Sequence, residues 1–135
     1  MLGLADIRDY LKGLGVIDAD WTIGRYEAEK EKKCCVYMRT DYSDTVAAIG
    51  GSEATRTNVK RVQVIVHYNR NHRQTEEAAA ALYEALRWNP RPTIGGVKVT
   101  YTDLKLLEPV DLGSDDNGIF ERSIWIDYYY ERKDG

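Results

Sequence analysis

The sequence has no apolar run near the roughly 20 residues a helix needs to cross a bilayer. It also has no basic stretch leading into a long apolar segment, since Met1-Leu2-Gly3-Leu4-Ala5 meets an acid at Asp6. A chain made and kept in a cytoplasm is expected. Cysteine is scarce, and the two that occur, Cys34 and Cys35, are adjacent. Successive side chains of a strand point to opposite faces, so free thiols, buried or half-buried, are expected here in place of a bridge. Metal ligands are few as well: Cys34, Cys35, His67 and His72 fall into no CxxC or HxxxH spacing, which argues against a structural zinc site.

No serine lies in a G-x-S-x-G elbow, neither cysteine precedes a helix, and the diglycines Gly50-Gly51 and Gly95-Gly96 belong to no phosphate loop. Asp111, Asp115 and Asp116 with Asn117 and Gly118 lack the ligand spacing and closing glutamate of a calcium loop, and they read as turn chemistry. Positive charge is not in excess either. A formal net charge of −3 excludes the strongly basic footprint of a protein whose main task is to hold phosphate backbones. These absences indicate no enzyme and no cofactor.

What is present is a chain of 135 residues, 43% apolar and 30% charged, the composition and size of one soluble domain. Leu4, Ile7, Leu11 and Leu14 recur at helical spacing, which predicts a helix from Leu4 to Leu14. Trp21 to Glu29 and Lys33 to Arg39 read as two strands joined as a hairpin by Lys30-Glu31-Lys32. Residues 41–58 are rich in Gly, Ser, Thr and Asp. A loop of that length in a compact domain is functional, or ordered by a partner, or a tolerated surface segment.

Val62, Val64, Val66 and Tyr68 form one face of a third strand. A helix from Thr75 to Trp88 follows, capped by Asn71, Gln74 or Thr75, with Ala78, Ala79, Leu82, Ala85 and Leu86 as a stripe of mostly small residues. Val97 to Leu107 changes apolar phase, which predicts a bulge near Asp103. In the last strand Phe120, Ile124, Ile126, Tyr128 and Tyr130 face one way, and Glu121, Ser123, Trp125, Asp127 and Tyr129 the other. The expected architecture is α+β in the order α-β-β-β-α-β-β, a mostly antiparallel or mixed sheet with two helices on one face.

Two surfaces invite contact. Trp125 and Tyr129 on the polar face of the last strand, with the helix residues Glu76, Glu77, Glu84 and Arg87, are candidate interface residues, although exposed aromatics also occur without a partner. Lys60, Arg61, Arg70 and Arg73 are a candidate basic patch. Through it the chain would act as a nucleic-acid-binding module, the alternative to a structural role, while a solvated charged face is the ordinary explanation.

The stretch from Val62 to Asn71, the helix Glu76 to Arg87, the segment from Leu106 through Glu108-Pro109-Val110-Asp111 to Glu121-Arg122, and the opening Leu4 to Leu11 together resemble the phage minor capsid proteins related to tail terminators. That resemblance implies an α+β subunit forming a hexameric ring on the tail tube, ending tube growth and presenting a surface to the head connector at the head–tail junction of the virion. Its partners would be further copies of the chain, the tail tube protein and the connector proteins, with no membrane, and nucleic acid only as DNA passing through the ring. The loop carrying Gly50 and Gly51 is then expected to make axial contact with tube or connector.

Overall fold

The computed structural model describes residues 1–39 and 57–131. Gly50 and Gly51, with most of the long loop predicted over 41–58, lie outside the described residues.

Two long strands form the centre because their sequences alternate. In β3 (Thr57–His67) and β7 (Phe120–Glu131) apolar residues recur at every second position over most of the length, and the two strands pair antiparallel from Thr57 opposite Glu131 to His67 opposite Glu121. β2 (Lys33–Met38) adds to the other side of β3, antiparallel, and β1 (Asp20–Ile23) adds to β2. The far side of β7 is shared end to end: β6 (Val110–Ser114) pairs with its first residues, and β5 (Val97–Leu104) with its later ones. The short β4 (Thr93–Ile94) closes a hairpin on β5. The described residues thus hold one mixed sheet of seven strands, in the order β1-β2-β3-β7-β5-β4 with β6 also on β7.

Helices α1 (Leu4–Gly13) and α2 (His72–Arg87) pack on one face of this sheet. Ile7 and Leu11 from α1 and Ala79, Leu82 and Leu86 from α2 meet Cys34, Val36, Val62, Val64, Val66, Ile124, Ile126 and Tyr128 in a single apolar cluster. The small residues of α2 let its axis approach the strands, with Ala79 fully buried. Tyr128 is fully buried at the centre, and its hydroxyl has no hydrogen-bond partner among the described residues. The α+β class and the element order are those expected.

Three local expectations are corrected. β1 and β2 do not form a hairpin but run parallel, Asp20 beside Lys33 and Ile23 beside Val36. β1 stops at Gly24, whose φ of 77° is open to glycine at little cost, and residues 24–32 return over the open face of the sheet. Tyr26 holds that crossover down, its ring 4.8 Å from the His67 ring, so Lys30-Glu31-Lys32 lies at the start of β2 as part of the crossover and not as a hairpin turn.

The bulge in β5 falls between Val99 and Tyr101, earlier than Asp103, and β5 ends at Leu104. Thr102 is therefore buried on the helix side, and Tyr101 is turned outward. Finally, α2 begins at His72. Asn71 is its cap, its side-chain oxygen accepting from the Gln74 N–H at 3.0 Å, so the first turn precedes the apolar stripe that marked the helix in the sequence.

Candidate assembly surface

The sheet face opposite the helices carries the alternate residues of β7: Glu121, Ser123, Trp125, Asp127 and Tyr129. Cross-strand register fixes their neighbours. Val59 of β3 and Tyr101 of β5 stand directly on either side of Tyr129, which makes a row of three apolar side chains across the open face. Tyr101 is 53% exposed, and Val59 and Tyr129 are half-buried. Sequence reading found Tyr129 and missed Tyr101, because Val97, Val99 and Tyr101 look in phase until the bulge shifts them. A signal was present in Thr102 and Leu104, which continue the buried phase only if one residue is skipped at Thr100.

Next to this row a charged group is buried. Arg39 Nη2 stands 2.7 Å from Asp127 Oδ1, a close ion pair in which both side chains are 3% exposed. Arg61 Nε lies 3.6 Å and Lys105 Nζ 3.9 Å from Asp127 Oδ2. The Arg39 guanidinium also sits 5.2 Å from the ring centre of Trp125, so the half-buried Trp125 is held by a cation on its face. Lys105 is pushed above its ordinary value, first by its hydrogen bond to Asp103. Buried pairs of this kind add little net stability compared with an apolar core, but losing one partner is expensive because the other charge stays buried. Their effect here is to fix the side chains bordering Trp125.

The opposite end of the same face is fastened shut. His67, fully buried, donates through Nε2 to the Ala28 carbonyl at 2.9 Å, and its Nδ1 stands 3.0 Å from Glu121 Oε2. Tyr26 donates its hydroxyl to the same carboxylate. Burial, then this hydrogen bond, pushes the Tyr26 phenol far above its usual range. The β6–β7 turn closes the cluster, with Asp115 Oδ1 accepting from the N–H groups of Asn117 at 2.9 Å and Ile119 at 3.1 Å. Burial acts to raise the Asp115 carboxyl, yet these hydrogen bonds outweigh it and the value is lowered. The turn reading of Asp115 to Gly118 holds.

The predicted helix residues lie on the exposed side of α2. Arg73 pairs with Glu77 at 3.0 Å and Arg87 with Glu84 at 3.7 Å, while Glu84 also accepts from the indole N–H of Trp88, which is 76% exposed. Glu76, also exposed, stands 3.3 Å from the buried Arg122, which lies 3.4 Å from Asp111 as well. The four basic candidates are not brought together. Arg61 and Arg70 are separated by the length of β3 beyond Arg61, about 20 Å at 3.3 Å per residue. Arg70 pairs with Glu31 at 3.5 Å and Arg61 with Asp127, while Lys60 points to the side opposite Arg61. Among the described residues no group of three or more His, Cys, Asp or Glu side chains is placed to hold a metal. Cys34 and Cys35 are both free and buried, on opposite faces. No helix among the described residues is long and apolar enough to cross a membrane.

Compared with known proteins, the chain matches the family model described as bacteriophage tail terminator protein over residues 10–131. None of the curated proteins matches it.

Proposed function

We propose that this chain, which belongs to the bacteriophage tail terminator family, acts as the repeating subunit of a ring, a hexamer by the family resemblance, that caps the tail tube, ends its growth and offers the head connector its joining surface. Family membership supports the coarser part of this reading, a structural role in tail completion. The observation that carries the finer part is the Val59–Tyr129–Tyr101 row. One face of the sheet packs against two helices, and the other leaves aromatic area open beside an ion-paired border.

A closed ring is built from heterologous contacts, one surface of each subunit meeting a different surface of the next. Aromatic residues framed by polar ones are the usual centre of such a contact. In this reading the open face with Trp125, Tyr129 and Tyr101 meets a neighbouring copy, and the loop with Gly50 and Gly51 reaches axially to tube or connector. The exposed side of α2 with Glu77, Glu84 and Arg87 is left for solvent or for the second ring surface.

Negative-stain imaging of the purified protein, alone and with tail tubes, tests the proposal. Rings seated on tube ends are expected. Single particles that never decorate a tube end would refute it.

A further inference from the structure

The β4–β5 hairpin carries a feature the ring reading does not use. Ile94 pairs with Val97 and Thr93 with Lys98, and the Val99 N–H donates to the Pro92 carbonyl at 2.9 Å, so the same register continues to place Arg91 opposite Thr100. Alternation then divides the hairpin into two faces. Pro92, Ile94 and Val99 are buried, whereas Arg91, Thr93, Lys98 and Thr100 share the outer face, all exposed. Together with Val99 these four line an open depression of about 490 Å³. Diagonal neighbours on an antiparallel pair stand about 7–8 Å apart, so Arg91 and Lys98 are within reach of one shared anion.

Neither cation of this depression stands in an ion pair with a described acid, although the register that sets Val99 beside Tyr130 brings Glu131 next to Lys98. Many of the described lysines and arginines stand in ion pairs, including Lys33 with Asp20, Arg39 with Asp127, Arg73 with Glu77 and Arg122 with Glu76. Among the described residues Arg91 and Lys98 have no such partner, although the chain as a whole has more acids than bases. The hairpin is also held in place: Gly95, at φ 56°, lies so close to α1 that an added Cβ would sit 2.6 Å from the Asp6 carboxyl carbon. A guanidinium fork, an ammonium and the Thr93 hydroxyl, set on a braced hairpin, form a donor set for a tetrahedral oxyanion, while the Thr100 hydroxyl lines the depression but already donates to the Tyr129 carbonyl at 3.1 Å.

We infer that Arg91, Lys98 and Thr93 bind a phosphate group of duplex DNA. The depression is shallow and open, so it suits a phosphate carried on the outside of a large molecule better than a small molecule that must be enclosed. Naming DNA as the source rests on the ring reading, in which DNA passes the subunit. The oxyanion chemistry of the site does not.

The test is fluorescence anisotropy of a short labelled duplex with the full-length protein, run over a series of salt concentrations, for wild type and for Arg91→Ala with Lys98→Ala. A glutamate-rich peptide and inorganic phosphate as competitor serve as separate arms. Both side chains are exposed, and thermal unfolding of the variant checks that the fold is kept. Wild type is expected to bind the duplex at low salt, with phosphate competing. The double variant is expected to bind more weakly, with the slope of log affinity against log salt reduced by about 1, the change for one phosphate no longer neutralised.

Duplex binding that is absent at low salt, or unchanged in the double variant, overturns the inference. So does capture of the peptide in place of the duplex, which would assign the site to an acidic protein segment. If imaging shows no ring but duplex affinity falls in the variant, the ring reading fails and the site stands.

Discussion

On the helix-covered face of β7, Ile124, Ile126 and Tyr128 are at most 2% exposed, and on the other face Ser123 and Asp127 are equally buried at 2%. One backbone therefore runs through two interiors of different chemistry. The first is filled by helices and held by apolar area, a term that is non-directional and tolerant of detail. The second is closed by ion pairs and side-chain hydrogen bonds, which are directional and lose heavily when one partner is removed. At the end of this second face the closure stops, leaving Tyr101 and Tyr129 beside Arg39 and Trp125. A subunit whose contacts must be specific gains from such a border, because fixed side chains need less ordering when a partner docks.

Breaking the open face should cost most. Asp127→Ala removes a buried carboxylate that Arg39, Arg61 and Lys105 all approach, and a loss of about 3–5 kcal/mol is expected in urea unfolding at neutral pH. A loss below about 1 kcal/mol would mean that water or rearrangement replaces the pair and that the border is not rigid.

The covered face should respond with the opposite sign at a buried hydroxyl. Tyr128→Phe removes a buried hydroxyl that has no partner among the described residues, and a gain of about 1 kcal/mol is expected by the same measurement. Destabilisation would reveal a hydrogen bond to water or to a residue outside those described.

Acid should act on the open face first. The Asp115 carboxyl is lowered in the folded protein, so its contribution is complete above the ordinary carboxylate range and is lost as pH falls through its folded value. The urea midpoint of wild type should decline through that range, and Asp115→Asn should flatten the decline. Equal declines would place the acid sensitivity elsewhere. The smallest effect on stability belongs to Tyr101→Ser, within about 0.5 kcal/mol for an exposed side chain, although it should impair assembly.

The sequence exposed the covered face more fully than the open one. Val62, Val64, Val66, Ile124 and Ile126 announce their strands by period alone, and Leu4 to Leu14 announces α1, because burial against helices leaves a simple alternating record. The parallel pairing of β1 with β2 was not legible, since the crossover between them packs through Tyr26 on His67, residues far apart in the chain. Gly24 was the local sign that β1 ends early. Tyr101 escaped notice because a bulge is a pairing event, visible in Val99 and Thr102 only once β7 is beside them. Arg91 and Lys98 drew no attention because they are separated in sequence and meet only across the hairpin register.

The most direct test of the central claim is to mix tail tubes with wild-type protein and, in parallel, with Tyr101→Ser protein, and to count capped tube ends by negative-stain microscopy. Ring-capped ends are expected with wild type, and few or none with Tyr101→Ser at unchanged thermal stability. Equal capping by both proteins would contradict the assignment of the open aromatic row to assembly.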